Sequence, residues 1–277
     1  MPISLVWTRR IKAIACGLGL ALAAVTSVNW WQIWVHRVPL CSQQNCVADF
    51  VALYTGAQLL RAEPSALYDP ERQHSYQQKI VQTEKTLPFL YPPAMAYLLA
   101  PLAWLDFSLA FLAMTAVNIL MLWTTLRYLI RQLQLSADQI HWLLLFTLAS
   151  FAVHSVLFFG QTTFILLFIL ARLTIACRHD RQSMAGLWLG LTLLKPQLSL
   201  VPGLALAAQR QWTAVMIGLI IAVAVSAVSF LSIGVESFSQ YTGLLQGLAT
   251  GSDWTHPVKG MHNLRALSSV WLSAPWD

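Results

Sequence analysis

The sequence predicts an all-α protein with several membrane-spanning helices, and three observations support this fold class. Hydrophobic residues make up 57% of the 277 residues, charged residues only 10%, and the mean hydropathy is +0.60. A soluble domain carries about 25% charged residues, which keep its surface wet. Apolar runs long enough to cross a bilayer recur along the chain, and basic residues favour one side of them. We therefore expect residues 1–277 to form a single membrane domain.

The first apolar run predicts an uncleaved anchor with a cytoplasmic N-terminus. Ala13–Val35 follows three basic residues and is longer than the roughly 20 residues that span a bilayer. It ends in an aromatic cluster typical of the membrane–water interface, not in the small residues of a cleavage site. This cluster comprises Trp30, Trp31 and Trp34.

Residues 36–92 are predicted to form the first extracytoplasmic loop. Within this loop, apolar residues recur at helical spacing after Asp49 and stop at Glu63-Pro64. The pattern predicts an amphipathic helix lying at the membrane interface, with Asp49 as its N-cap. The residues that carry the pattern are Val51, Leu53, Tyr54, Ala57 and Leu60.

The middle of the chain alternates short and full-length apolar runs. Ala94–Leu105 is too short to cross a core of about 30 Å, so it is predicted to be a re-entrant helix before the full span Phe107–Leu126. Trp142–Phe159 and Thr162–Cys177 then predict a helical hairpin with Gly160-Gln161 at its outer turn.

A second broken pair is predicted around Lys195-Pro196-Gln197, which separates Met184–Leu194 from Leu198–Ala208. Proline removes a helical hydrogen bond and restricts the residue before it. Trp212–Val235 then crosses outward, and residues 236–277 are predicted to be a second large extracytoplasmic segment. Because no further span follows, we expect the chain to be truncated at its C-terminus.

The charges follow the positive-inside rule under this topology. Cytoplasmic segments contain nine basic residues and two acids, whereas extracytoplasmic segments contain seven basic residues and nine acids. Membrane orientation therefore accounts for the basic pI of about 9.4, and nucleic acid is not an expected partner. The expected surroundings are the lipids of a plasma membrane.

Asp49 is the first candidate for chemistry. A carboxylate at a helix N-terminus is held by backbone N–H groups and the helix dipole. At a membrane surface such a group can act as a general base on a hydroxyl, although an ordinary helix cap explains the residue equally well. Cys41 and Cys46, just upstream, are candidates for a small disulfide. Their separation by four residues, with no second Cys or His pair nearby, argues against a metal site.

Other polar residues are candidates for substrate binding. Lys195 lies at membrane depth, where a cation at a helix break suits a phosphate head group, although a lysine can also snorkel to the interface. Gln161 faces either an active-site cavity or only the hairpin turn. His262, Asn263 and Arg265 could bind a sugar phosphate or belong to a solvated loop.

Five segments in order resemble glycosyltransferase family 87, the polyprenyl-phosphate-mannose-dependent mannosyltransferases and their bacterial relatives. They are DFVALYTGAQLL, FLYPPAMAYLLAPL, FGQTTFILLFILA, AGLWLGLTLLKPQLSLVPGLALAAQRQW and GMHNLRAL. The resemblance implies the membrane-embedded C-type glycosyltransferase fold and a bacterial inner membrane location. It also implies a hexosyltransferase that takes a sugar, in the first instance mannose, from a polyprenyl phosphate.

The resemblance assigns roles to several residues. Asp49 matches the acidic residue of the first extracytoplasmic loop that serves as catalytic base, and it would act on a lipid or glycan acceptor outside the cell. His262 and Asn263 correspond to the later loop near the donor phosphate. No metal or cofactor is implied. The alternative is a transporter or flippase for a lipid-linked or small polar substrate, in which broken helices and an intramembrane lysine are equally expected. A membrane scaffold without chemistry is a third hypothesis.

Overall fold

The structure, a computed structural model, describes residues 48–81 and 86–250, together with several helical positions between residues 17 and 28. Every regular element in this described part is helical, which confirms the all-α fold class. Most of the predicted span Ala13–Val35 lies outside the described residues, as do Cys41 and Cys46. The candidate residues His262, Asn263 and Arg265 lie outside them as well.

The described α-helices are labelled here in chain order. They are α1 (Ala48–Ala62), α2 (Pro70–Gln78), α3 (Pro93–Leu99), α4 (Phe107–Leu133), α5 (Ala137–Ala149), α6 (Phe151–Phe159), α7 (Thr163–Arg178), α8 (Gln182–Leu191), α9 (Leu200–Ala208), α10 (Trp212–Ile233) and α11 (Glu236–Thr250). Short 3₁₀ segments occupy Pro64–Ala66, Ala100–Trp104, Thr192–Leu194 and Pro196–Leu198.

Two of these helices are long and apolar enough to cross a membrane. They are α4 and α10, and a third span results if α5 and α6 are counted as one helix bent by 50°. Many large apolar side chains of α4 and α10 are exposed, as expected for helices whose solvent is lipid. The chain breaks between α8 and α9 at Lys195, where the proline predicts a break. The predicted re-entrant course of the short helices remains a prediction.

The fold divides into two compact units, each built from two stretches of chain. The first unit comprises Met1–Phe50 and Ser108–Ala222, and the second comprises Val51–Phe107 and Val223–Asp277.

Small residues allow α8 and α10 to approach closely in the first unit. Gly186 and Gly190 stand one helical turn apart on α8, and a Cβ added to Gly186 would lie 2.7 Å from the carbonyl oxygen of Ala214. It would also lie 2.7 Å from Cβ of Ile217 on α10. This spacing of small residues is typical of helix packing in membranes, where close van der Waals contact drives association.

Replacing Gly186 by alanine is therefore expected to destabilise the first unit. Because one obstructing atom belongs to the α10 backbone, the two helices must separate, at a cost of about 1–3 kcal/mol. The midpoint of unfolding in mixed detergent micelles, compared with that of the unaltered protein, measures the effect.

Gly203 on α9 provides a matched control for this substitution. A Cβ there would meet only Cδ1 of Leu189, at an ordinary 4.0 Å. Alanine is favoured over glycine in a helix by up to about 1 kcal/mol, so Gly203→Ala should leave the midpoint unchanged or raise it. Equal midpoints for the two variants would contradict the close packing of α8 on α10.

Two buried glutamines organise the chain between α1 and α3 in the second unit. Gln73 on α2 donates to the carbonyl of Leu67 (2.8 Å) and accepts from the amide of Phe89 (2.9 Å). Gln77 donates to the carbonyl of Leu87 (2.7 Å) and accepts from its amide (2.8 Å). Each side chain therefore satisfies backbone groups that no helix or strand would pair.

An aromatic cluster forms around Tyr68 in the same unit. Its ring lies 5.0 Å from that of Tyr241 on α11 and 6.4 Å from that of Phe230 on α10, and its hydroxyl donates to the carbonyl of Tyr91 (2.7 Å). Burial, with a smaller contribution from Tyr241, raises the pKa of the Tyr68 hydroxyl, which therefore stays protonated. Helix α11 itself was not predicted within residues 236–277.

Helix α1 is more buried than the predicted amphipathic helix, and its place at the membrane interface remains a prediction. Its end at Ala62, before Glu63-Pro64, agrees with the prediction, but residues Phe50 to Leu60 are buried with the exception of half-buried Gln58. The reason is compositional, since the residues between the predicted apolar positions are themselves apolar or small. They are Phe50, Ala52, Thr55, Gly56 and Leu59. A helix without a polar face is buried all round.

The predicted span Trp142–Phe159 is bent at Ser150, which separates α5 from α6 in an extended conformation (φ −71°, ψ 121°). Such a break frees backbone groups, and Nε2 of His154 contacts the freed carbonyl of Leu148 at 2.8 Å. Because a carbonyl only accepts, this contact requires the His154 tautomer that carries its proton on Nε2. The histidine side chain thus stabilises the bend.

Candidate active site

Asp49 lies in the first turn of α1 and not at its N-cap, because the helix begins one residue earlier, at Ala48. Its carboxylate is half-buried, and Oδ2 accepts a short hydrogen bond from Nε2 of Gln161. The two residues are 112 positions apart in sequence and belong to the same unit. The side chain of Asp49, in the first turn of α1, is therefore fixed by a tertiary contact.

Gln161 is positioned by the turn between α6 and α7. Helix α6 ends at Gly160 in a left-handed conformation (φ 61°, ψ 37°), a common helix ending that glycine adopts without strain. The absent side chain of Gly160 also leaves room for Phe50, since an added Cβ would lie 2.8 Å from the Phe50 Cβ. Phe50 follows Asp49 directly and packs edge-to-face on Phe111 of α4, with ring centroids 5.3 Å apart. The close approach of the turn to α1 thus brings Gln161 to Asp49.

Two further side chains hold Gln161. Asn118 on α4 is fully buried and donates from Nδ2 to the backbone carbonyl of Gln161 at 2.8 Å. Thr163, the first residue of α7, donates from its hydroxyl to Oε1 of Gln161 at 3.2 Å. Asp49, Gln161, Thr163 and Asn118 are called the Asp49 network below.

The sequence analysis missed Asn118 and Thr163. Asn118 carries a usable signal, because it is the one amide side chain in the apolar run Phe107–Leu126, and polar groups at membrane depth are costly. Thr163 carries no such signal, since threonine is common at the start of helices. Gln161 is a candidate for substrate binding from the sequence, and in the structure its amide nitrogen contacts Asp49.

Lys195 has no hydrogen bond or ion pair with the residues of the Asp49 network. It is half-buried between the two 3₁₀ turns that connect α8 to α9, and in the described part of the chain no hydrogen bond or ion pair reaches its amine. A hydrogen bond from the Thr192 hydroxyl to the Ser199 hydroxyl (2.7 Å) closes the break beside it. The lysine is thus a cation without an acidic partner among the described residues, which is compatible with an anionic ligand.

The arrangement around Asp49 is suited to proton transfer. One carboxylate oxygen is occupied by the Gln161 amide, and among the described residues no donor contacts Oδ1. A carboxylate held in one orientation with a free oxygen can accept a proton from a hydroxyl placed within hydrogen-bond reach. Within the same described residues, no group of three or more His, Cys, Asp or Glu side chains is arranged to hold a metal ion.

Comparison with known proteins identifies the family. The family model of glycosyltransferase family 87 matches residues 89–272, a stretch that contains Asn118, Gln161, Thr163 and Lys195 and begins after Asp49. No curated protein and no solved structure gives a significant match. The family model covers more than half of the chain, and α4 and α10 are of membrane-spanning length. The chain therefore belongs to glycosyltransferase family 87 and is a membrane glycosyltransferase.

Proposed function

We propose that this glycosyltransferase moves a hexose, in the first instance mannose, from a polyprenyl-phosphate sugar to a hydroxyl of a lipid or glycan. The reaction takes place on the extracytoplasmic side of a bacterial inner membrane, with Asp49 as the catalytic base. The observation that supports this assignment is the fixed carboxylate of Asp49, with one oxygen bonded to Gln161 and the other without a donor among the described residues.

The proposed reaction is an inverting displacement at the anomeric carbon. The acceptor hydroxyl gives its proton to Oδ1 of Asp49 while its oxygen forms a bond to C1 of the sugar. The bond between C1 and the phosphate oxygen breaks, and polyprenyl phosphate leaves with the electron pair. Lys195 and the outer residues His262, Asn263 and Arg265 are the cations and donors proposed to stabilise that phosphate.

Family membership favours this enzyme over the transporter alternative. A flippase also needs a polar path through the membrane, and the amine of Lys195, which has no partner among the described residues, fits either function. The matched family is one of glycosyltransferases, and the hydrogen-bonded carboxylate of Asp49 supplies the base that sugar transfer needs.

A donor comparison tests the proposed substrate. The purified protein, reconstituted in liposomes with bacterial membrane lipids and glycans as acceptors, is incubated with radiolabelled polyprenyl-phosphate mannose, glucose or arabinose. A parallel reaction contains radiolabelled GDP-mannose instead. Label is expected to appear in a new lipid or glycan product when the donor is a polyprenyl-phosphate sugar and not when the donor is GDP-mannose. Transfer from GDP-mannose alone would refute the proposed donor. Movement of the labelled lipid across the bilayer without sugar transfer would support the flippase.

A further inference from the structure

The amide of Gln161 is oriented by its neighbours and not only by its own rotamer. Its Oε1 accepts from the hydroxyl of Thr163 (3.2 Å), so the opposite end, Nε2, is directed at Asp49. The reverse orientation would bring two acceptor oxygens together, one from the glutamine and one from the carboxylate. The carboxylate of Asp49, which can only accept, therefore selects the orientation in which the glutamine amide is the donor, and the Thr163 hydroxyl holds the other end of the amide.

Asn118 holds the backbone of Gln161 in place. Its amide is fully buried in an apolar helix, where its Nδ2 donates to the carbonyl of Gln161, while its Oδ1 has no partner among the described residues. An unpaired buried acceptor costs about 1–3 kcal/mol. Stability alone therefore favours an apolar residue at this position, and the asparagine is explained by the turn that it holds.

We infer that Gln161 is a positioning residue for the catalytic base, with Thr163 and Asn118 holding it in place. This inference rests on the proposed role of Asp49. It differs from the substrate-binding role expected from the sequence, and it is argued from the N–H that the Gln161 amide donates to Oδ2 of Asp49. Fixing Oδ2 leaves Oδ1 as the oxygen that faces the acceptor hydroxyl, and small errors in such a geometry lower the rate strongly.

Replacement of Gln161 by methionine separates the two roles. Methionine has a similar length and no donor, so a positioning role predicts that kcat falls about tenfold to a hundredfold while KM for the donor changes less than about twofold. A rise in donor KM at unchanged kcat would show phosphate binding and overturn the inference. In an Asp49→Asn background, Gln161→Met is expected to cause no further loss.

Thr163 provides a nearly isosteric test that does not depend on folding of the Gln161 variant. Thr163→Val removes the hydroxyl and is expected to lower kcat about threefold to tenfold, the equivalent of one hydrogen bond. Thr163→Ser keeps the hydroxyl and should restore the rate lost in the valine variant. Thr174→Val is the matched control, because Thr174 is exposed on the same helix and, among the described residues, its hydroxyl bonds only to the carbonyl of Leu170.

The outcomes distinguish this inference from the proposed function. If Asp49→Asn is inactive while Gln161→Met and Thr163→Val match the unaltered protein, Asp49 remains the base and the inference is overturned. If Asp49→Asn retains full activity, the proposed base itself is wrong. Equal losses in Thr163→Val and Thr163→Ser would also overturn the inference, since the hydroxyl would then be irrelevant.

Discussion

Asp49→Asn is expected to reduce sugar transfer by about 10²–10⁴-fold, because general base catalysis contributes a factor of this size. Asparagine has the shape of aspartate but cannot take a proton from the acceptor hydroxyl at neutral pH. It retains an acceptor oxygen for Nε2 of Gln161, so the contact with the turn between α6 and α7 can persist. The loss should therefore appear in kcat, with an unchanged unfolding midpoint, in an assay with the radiolabelled polyprenyl-phosphate donor.

Asp69→Asn is the matched control for this substitution. Asp69 also lies within residues 36–92, where its carboxylate caps α2 by accepting from the amide of Arg72 at 3.0 Å. Asparagine caps helices about as well as aspartate, so activity and stability should both stay close to those of the unaltered protein. Similar activity of the two variants would mean that Asp49 is a structural carboxylate and not the base.

The sequence predicted best those features that local chemistry determines. The break at Lys195 follows from Pro196, and α1 ends before Pro64 for the same steric reason. The bend at Ser150 was not predictable in this way, because neither proline nor glycine occurs between Trp142 and Phe159. The carbonyl of Leu148, freed by this bend, contacts the side chain of His154, and such a contact leaves no periodic signal in the sequence.

Single residues of the candidate site were predictable from the sequence, but the contacts between them were not. Asp49 and Gln161 were each selected, one from its place before a helix and the other from its place in a hairpin turn. Their contact was not predicted, since residues 112 positions apart meet through packing that hydrophobic periodicity does not encode. The role of Asn118 was not predicted, because the apolar run around it predicts only a membrane span and does not reveal which residue its buried amide contacts.

Gly160→Ala is expected to lower activity by about 10²-fold, because it pushes apart the two segments that carry the Asp49 network. The added Cβ would lie 2.8 Å from Cβ of Phe50 and 3.0 Å from Cε2 of Phe111. Phe50 is the neighbour of Asp49 and Gly160 is the neighbour of Gln161, so relief of this contact displaces the carboxylate, the amide or both. The transfer rate of protein that remains monodisperse in detergent measures the effect.

Gly234→Ala separates this displacement from backbone strain. Gly234 also has a positive φ (102°), but nothing lies within 4 Å of an added Cβ. Both alanine variants should lose stability through their strained backbone, at a cost of about 1–2 kcal/mol, visible as a lower unfolding midpoint. Only Gly160→Ala should also lose activity. An equal fall in activity for both variants would mean that the loss of stability causes it. That result would contradict the proposal that the close contact between Gly160 and Phe50 positions Asp49 and Gln161.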